Sequence, residues 1–369
     1  MPQQITPETR ERYIRALDLR DQGHTFREIA QVCGYADPAT ARYAWIGGLR
    51  LANRTTEIPT RTPRRVGVQI GIGNGSSLAT LTVEQLDSFV QLNTFTFGIE
   101  IECVGLNQTS AARALHAAGI ACEDNGYNHS TRPTWKVVYD GSLSSRTGSC
   151  EVVSPILSGT DGLTEVRTVM AVLRTAGARI NESCGMHIHI GVDTLSQAHQ
   201  TRIIRAYGKW SWAFTGFVLP RRVNNRWAQL RTPAGTERLA SDWETSSNMR
   251  NTASRHDRYY AFNVHAFQRH GTFEMRAHHG SLNGMNASAW VALHTAFFEA
   301  CKTETSYTAL VGNAETMDEY NGSNDRPQAI EGAKRIAKVL GEMQLLDTDA
   351  CEYLVRRAGN IPSVRSNNS

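Results

Sequence analysis

The stretch TFTFGIEIEC, residues 94–103, alternates apolar and polar side chains as a β-strand with one buried face does. On such a strand Glu100 and Glu102 point to the same side of the sheet, about 7 Å apart. Ile99 and Ile101 point to the other side, into apolar packing. Two neighbouring carboxylates repel each other, and a divalent cation or an arginine would relieve that repulsion. The alternative is a pair of solvated glutamates on an edge strand.

Two further predicted strands carry a similar pattern. In CGMHIHIG, His187 and His189 share one face, and the apolar residues between and beside them share the other. Two imidazoles on one strand face suit a metal site or a position close to phosphate. In SCEVVSP, Glu151 shares its face with Val153. The alternatives are paired surface or core-edge histidines and a glutamate that is simply exposed.

A fourth predicted strand, in TFEMR, carries an acid and a base. Glu274 and Arg276 share one face of it, and on that evidence alone they could be a structural ion pair. The same arrangement recurs on several strands of one region, with polar residues on one face and apolar residues on the other. We therefore interpret these polar residues as the lining of a common cavity.

Helical patterns separate the predicted strands, and turn-rich segments join them. An Arg-rich stretch, 220–258, reads as irregular, and YYAFNVHAF reads as a strand. Strands and helices in this arrangement predict an α+β fold with a largely antiparallel sheet. The predicted helices are 109–119, 161–177, 196–220, 285–302 and 326–343.

The composition narrows the class of protein. A length of 369 residues is enough for about two domains, and 40% hydrophobic and 20% charged residues are typical of globular proteins. The longest uncharged apolar stretch, 287–298, is shorter than the roughly 20 residues that cross a bilayer. The first residues lack the apolar core of a signal peptide. Seven cysteines without CxxC spacing favour free thiols, so we expect a cytoplasmic protein without membrane insertion.

The first 52 residues form a predicted helical domain of three short helices. Residues 1–65 hold 11 Arg against 7 Asp and Glu, so the positive charge of the chain is concentrated there. Three helices with a glycine-marked turn resemble the helix-turn-helix family, in which the third helix enters the major groove. That resemblance implies that Thr40, Arg42 and Tyr43 contact DNA. The alternative is a small interaction module that does not touch DNA.

Residues 53–93 form a predicted linker. They contain RTTEIPTRTPRR and the glycine-rich GVQIGIGNGSS. The second string is not a dinucleotide-binding loop, because Ser76 stands in the place of the third glycine of GxGxxG. The chain also contains no GxxxxGK[ST] phosphate loop.

Taken in order, the motifs GIEIE, DGS with CEVVSP, CGMHIHIG and TFEMR resemble those of the amidoligases. These are carboxylate–amine ligases that share a fold with glutamine synthetase and glutamate–cysteine ligase. The resemblance covers residues from about 94 to 343 and implies a curved antiparallel sheet with helices outside. We therefore predict a catalytic domain at 94–345 and a C-terminal helix and tail at 346–369.

The resemblance also implies a role for each matched residue. Arg276 would contact a transferring phosphoryl group, and His189 and Glu151 would complete the catalytic set. Nucleotide or substrate would contact His187, Arg276 and the residues that match the RYYAFN strand, Arg258, Tyr259 and Asn263. The implied ligands of divalent cations are Glu100, Glu102, Glu151, His187 and Glu274.

This family implies an ATP-dependent ligase that uses Mg²⁺ or Mn²⁺ and forms an amide through an acyl phosphate. Its carboxylate and amine substrates would be an amino acid, a peptide or a protein. One alternative is a metal-dependent hydrolase that uses the same residues. Another is a DNA-binding regulator whose larger domain senses a ligand.

The Arg-rich stretch gives a further expectation. Some of its guanidinium groups would hold phosphate or an acidic substrate, and the alternative is a solvated loop. Its eight arginines are Arg221, Arg222, Arg226, Arg231, Arg238, Arg250, Arg255 and Arg258.

Overall fold

The computed structural model describes most of the chain outside the predicted linker. Its described residues are 7–22, 24, 26–35, 41, 44–45, 48, 52, 89–124, 130–143, 145, 148–223, 225–314 and 325–360. Thr40, Arg42 and Tyr43, which we predicted to contact DNA, lie outside the described residues, as does the linker up to residue 88.

The chain divides into two compact units, residues 1–79 and residues 80–369. In the first unit, helices Pro7–Asp21 (α1) and Phe26–Cys33 (α2) contact each other. Their apolar side chains share a small core with Trp45. Two helices are therefore present as expected, and the helix-turn-helix assignment stays a prediction.

The second unit is built on one eight-stranded sheet. The strands are Thr96–Val104 (β1), Cys122–Asp124 (β2), Trp135–Val138 (β3), Ser149–Val153 (β4), Leu157–Ser158 (β5), Met186–Gly191 (β6), Phe262–Asn263 (β7) and Thr272–Met275 (β8). They lie in the order β2-β3-β4-β1-β6-β8-β7, and β5 pairs with β1. Among these described strands, β2 and β3 run parallel and the other pairs run antiparallel.

Helices connect and cover these strands. They are Gln108–Ala117 (α3), Gly159–Thr175 (α4), Gln197–Phe214 (α5), Pro233–Glu244 (α6), Met249–Ser254 (α7), Phe267–His270 (α8), Gly284–Ala300 (α9), Glu304–Gly312 (α10), Arg326–Glu342 (α11) and Thr348–Arg357 (α12). The predicted α+β class with a mostly antiparallel sheet is confirmed. The closer likeness to the curved sheet of glutamine synthetase stays a prediction.

One face of the sheet faces an apolar core. Ile99 and Ile101 on β1 are almost completely buried there, in one cluster with side chains of α4 and α9. Burying each such side chain stabilises the fold by about 1.5–3 kcal/mol. A register slip of one residue would bring Glu100 and Glu102 into this core instead. Apolar packing therefore fixes which face of β1 carries the glutamates.

Two segments differ from the sequence prediction. The Arg-rich stretch, expected to be irregular, contains α6 and α7, because Thr232 and Asn248 cap their first turns by accepting hydrogen bonds from backbone N–H groups. The strand expected in YYAFNVHAF shortens to β7, and α8 follows it. A period of two over so few residues does not separate a strand from a helical turn.

The segments that flank the predicted catalytic domain also contribute to its core. Phe89 is buried and packs against Tyr353 of α12, with ring centroids 5.4 Å apart. Gln91 accepts a hydrogen bond from the Gly159 backbone at 2.6 Å.

None of the helices in the described ranges has both the length and the apolar character needed to cross a bilayer.

Candidate active site

Strand pairing brings acidic and histidine side chains from four neighbouring strands to one face of the sheet. Directly opposite residues of an antiparallel pair point to the same face, with Cβ atoms about 4.5–5.5 Å apart. The register across β4, β1, β6 and β8 contains three such pairs, Glu100 with His187, Glu102 with Glu151, and His189 with Glu274.

His187 lies at the centre of this face and is only 3% exposed. Its Nδ1 atom lies 3.1 Å from Glu100 Oε2 and 3.5 Å from Glu274 Oε1. Its Nε2 atom lies 3.7 Å from Glu102 Oε1. The two nitrogens of one imidazole therefore face two different groups of carboxylates.

These groups form two sets of potential metal ligands. The first donor set is Glu100, His187 and Glu274, and the second donor set is Glu102, Glu151 and His187. Within each set, the ligand atoms lie within 4.8 Å of one another.

The donor atoms fit a divalent cation. Carboxylate oxygens suit Mg²⁺ and Mn²⁺, and an imidazole nitrogen is a further ligand for Mn²⁺. His187 Nε2 is buried and has no hydrogen-bond partner among the described residues. A buried polar atom without a partner is unfavourable, and a bound cation would satisfy it.

Basic groups of the protein compensate the first donor set. Arg276 Nη1 donates a hydrogen bond to Glu274 Oε1 at 2.6 Å. Burial raises the pKa of Glu274, but Arg276 and His189 outweigh burial and hold this pKa below its ordinary value. Burial likewise opposes the ionisation of Glu100, but His187 and His189 hold the pKa of Glu100 well below its ordinary value. Both carboxylates of this set are therefore ionised at neutral pH.

The second donor set behaves in the opposite way. Burial, followed by the charges of Glu100 and Glu102, raises the pKa of Glu151 well above its ordinary value. Glu102 is 4% exposed and accepts a hydrogen bond from the Gly185 backbone. A bound cation would therefore stabilise the second donor set. Without a cation, Glu151 tends to keep its proton.

Neighbouring polar groups hold the first donor set in position. Asn263 on β7 donates from Nδ2 to Glu274 Oε2 at 2.6 Å. His189 Nδ1 lies 2.9 Å from Thr272 Oγ1. The Arg276 guanidinium also donates from Nε to the Trp227 carbonyl at 3.2 Å. Hydrogen bonds of this kind, from neighbouring groups to the ligands, fix the orientation of metal ligands.

Arg258 and Tyr259, which were predicted to bind nucleotide, lie next to Trp227, whose carbonyl accepts a hydrogen bond from Arg276. Arg258 is exposed, and its guanidinium carbon lies 5.1 Å from the ring centroid of Tyr259. Tyr259 in turn packs edge-on against Trp227. The structure thus joins Asn263 to the carboxylates but places Arg258 and Tyr259 beside Trp227, on the segment that leads to β7.

Two residues near the site, Lys136 and His270, were not predicted from the sequence. Lys136 on β3 is 4% exposed. It lies directly opposite Val153 on β4, and Val153 in turn lies opposite Glu100 on β1. The His270 ring lies 5.9 Å from that of His189, and burial lowers the pKa of His270 to about 4. The lysine within WKVV could have indicated this position, because a lysine on a strand with buried neighbours is unusual.

Arg222 is the member of the Arg-rich stretch that lies beside the second donor set. It is 7% exposed. Burial lowers the pKa of Arg222, and the charge of Glu102 opposes that effect. Other members pair elsewhere: Arg221 with Glu182, Arg226 with Trp227, Arg231 with Tyr260, and Arg250 with backbone carbonyls of α8.

Comparison with known proteins assigns the chain to a family. A search of curated proteins found no match. The model of a protein family described as "Putative amidoligase enzyme" matches residues 93–298, more than half of the chain. The matched segment contains all four strands that carry the two donor sets. The chain therefore belongs to the amidoligase family.

Proposed function

We propose that this protein is an ATP- and Mg²⁺-dependent carboxylate–amine ligase that forms an amide through an acyl phosphate, with Mn²⁺ as the alternative cation. The observation that carries this proposal is the convergence of two donor sets on His187, with Arg276 bonded to one of them. Family membership supports amide formation as the class of reaction.

The proposed chemistry has two steps, because a carboxylate cannot expel oxide when an amine attacks it. First, a carboxylate oxygen of the substrate attacks the γ-phosphorus of ATP. The bond from that phosphorus to the β,γ-bridging oxygen breaks, and ADP leaves. Second, the amine nitrogen attacks the acyl carbon, loses a proton and expels inorganic phosphate. The products are an amide, ADP and phosphate.

The side chains of the polar face divide this work. Glu100, Glu102, Glu151, Glu274 and His187 would hold the divalent cations. A bound Mg²⁺ neutralises phosphate oxygens that would otherwise repel the carboxylates. Near these ligands, His189 is held by its contact with Thr272 Oγ1 and would face bound ATP.

Arg276 would bind the transferring phosphoryl group. A guanidinium has five N–H donors, and Glu274 and the Trp227 carbonyl each accept one of them. Further donors therefore remain for an oxyanion. The salt bridge to Glu274 holds the guanidinium against the first donor set, where the phosphoryl group would be neutralised as it transfers.

The substrates are proposed only as classes, a carboxylate and an amine from among amino acids, peptides and proteins. The experiment measures ADP and phosphate release from Mg·ATP with a panel of amino acids, polyamines and peptides. The Glu102→Gln variant should lower ADP release roughly 100-fold, because it removes a negative ligand of the second donor set. Mass spectrometry would identify the amide that accompanies ADP.

Glu237→Gln is the matched control. Glu237 is exposed and pairs with Arg205 on α5, away from the two donor sets, so its loss should leave ADP release unchanged. Amide hydrolysis without ADP formation, or undiminished turnover in Glu102→Gln, would contradict the proposed ligase.

A further inference from the structure

Arg222 is a buried arginine whose hydrogen bonds are incomplete. Its Nε atom is buried and has no hydrogen-bond partner among the described residues. Its Nη2 group reaches the Arg276 carbonyl at 3.5 Å, which is long for a hydrogen bond. A buried guanidinium that lacks acceptors is unfavourable unless another group supplies them.

The backbone around Arg222 is held firmly in place. Arg222 ends the short 3₁₀ turn Pro220–Arg222, and the preceding Leu219 N–H donates to His279 Nδ1 at 3.4 Å. Within the turn, the Arg222 N–H donates to the Leu219 carbonyl at 2.8 Å. The turn therefore fixes the position of a guanidinium whose hydrogen bonds are incomplete.

Gly185 provides the space in which this guanidinium lies. A Cβ atom at position 185 would clash with Arg222 Nη2 and would lie 2.9 Å from His187 Nε2. The Gly185 N–H also donates to the Glu102 carboxylate. Arg222 and the unpartnered nitrogen of His187 thus approach the same point beside the second donor set.

The charges of the site indicate the kind of group that would complete it. Two divalent cations would balance the four carboxylates of the donor sets. Arg276 and Arg222 would then leave positive charge that an anion can neutralise. The planar fork of a guanidinium matches the oxygens of a phosphoryl group or a carboxylate.

We infer that Arg222 is an oxyanion-binding residue that acts with Arg276 beside the second donor set. It binds oxygens of the reacting groups, either the phosphoryl group or the carboxylate that receives it. This inference rests on the proposed ligase function for the identity of the anion.

The test is calorimetric titration of the full chain, saturated with Mg²⁺, with inorganic phosphate and separately with acetate. The variants are Arg222→Gln and Arg222→Lys, with Arg221→Gln as the control from the same turn. Phosphate affinity should fall roughly tenfold to hundredfold in Arg222→Gln, as expected for the loss of hydrogen bonds to a charged group. It should fall less in Arg222→Lys and stay unchanged in Arg221→Gln.

The two anions distinguish the sources of the oxyanion. Loss of phosphate affinity alone assigns Arg222 to the phosphoryl group, and loss of acetate affinity alone assigns it to the carboxylate. Unchanged affinity for both anions in both Arg222 variants would overturn the inference. So would a wild-type protein that binds neither anion. A lower melting temperature in Arg222→Gln with unchanged anion affinity would show a structural role instead.

These titrations need no turnover, so they separate the inference from the proposed function. Arg222-dependent phosphate binding without ADP formation on any substrate would contradict the ligase and leave the oxyanion site standing. Normal ADP formation with Arg222-independent binding would contradict the oxyanion site alone.

Discussion

The two donor sets differ in how their negative charge is compensated, although they share His187 and the same sheet face. In the first donor set, Arg276 and His189 lower the pKa of Glu274. In the second, burial and neighbouring carboxylates raise the pKa of Glu151 well above its ordinary value. One set is neutralised largely by the protein, and the other depends more on a cation or a proton.

This difference shows that groups of the protein can compensate part of the negative charge of a carboxylate cluster before any cation binds. The ion pair between Arg276 and Glu274 stabilises the first donor set in the folded protein without a cation. The second donor set is where the gain from a bound cation should be larger. Variants of the two sets should therefore respond differently in stability, activity and pH dependence.

The largest effect should come from Glu274→Gln, which leaves the Arg276 guanidinium without its carboxylate partner. The side chain of Arg276 is 16% exposed, so breaking this pair should lower the free energy of unfolding of the metal-free protein by about 3 kcal/mol. Glu151→Gln should leave this free energy unchanged or raise it, because it removes a carboxylate that burial disfavours. Urea denaturation of both variants measures the difference.

Glu304→Gln is the control for this comparison, because Glu304 is exposed and its ion pair with Arg202 should contribute little. Equal destabilisation by Glu274→Gln and Glu151→Gln would show that the two donor sets do not differ as described.

His187→Asn should have the next largest effect, because His187 belongs to both donor sets. ADP release from Mg·ATP should fall by more than the roughly 100-fold expected for Glu102→Gln, which affects one set only. His116→Asn, on the exposed side of α3, is the matched control. Steady-state ADP release measures both, and near-normal turnover in His187→Asn would exclude a shared role for this imidazole.

A smaller effect should appear in the pH dependence of metal-free stability. Because the folded pKa of Glu151 is raised, its contribution is present below the ordinary pKa of a glutamate and is lost as pH rises through the raised value. The slope from this group is at most about 1.4 kcal/mol per pH unit. Glu100 and Glu274, whose pKa values are lowered, contribute stability that is lost as pH falls.

Thermal unfolding across pH, with and without Glu151→Gln, separates these contributions. The variant should remove the fall in stability on the alkaline side and keep the fall on the acidic side. A wild-type protein and a Glu151→Gln variant with the same alkaline profile would contradict the raised pKa.

Part of the site could be predicted from the sequence. Alternation along β1 predicted that Glu100 and Glu102 share a face, because apolar burial of Ile99 and Ile101 leaves no other register. Alternation within one strand does not say which residue of another strand lies opposite. The pairing of Glu102 with Glu151, 49 positions along the chain, was therefore visible only in the fold.

The basic residues around the site were harder to predict for a related reason. Arg222 belongs to a stretch of eight arginines with no period, and only the turn before Val223 and the small Gly185 place it beside Glu102. The helices α6 and α7 were missed in that stretch because their capping residues, Thr232 and Asn248, occur equally in turns. Local patterns thus predicted the strands, and long-range packing determined the site.

The most direct test of the account is a titration of Mn²⁺ followed by electron paramagnetic resonance of the free ion. We predict two saturable ions per wild-type chain, one in the Glu102→Gln/Glu151→Gln double variant, and weaker binding of the ions in His187→Asn. No saturable binding to the wild-type protein, or binding that is identical in all three proteins, would contradict the claim that these strands converge on a divalent-cation site.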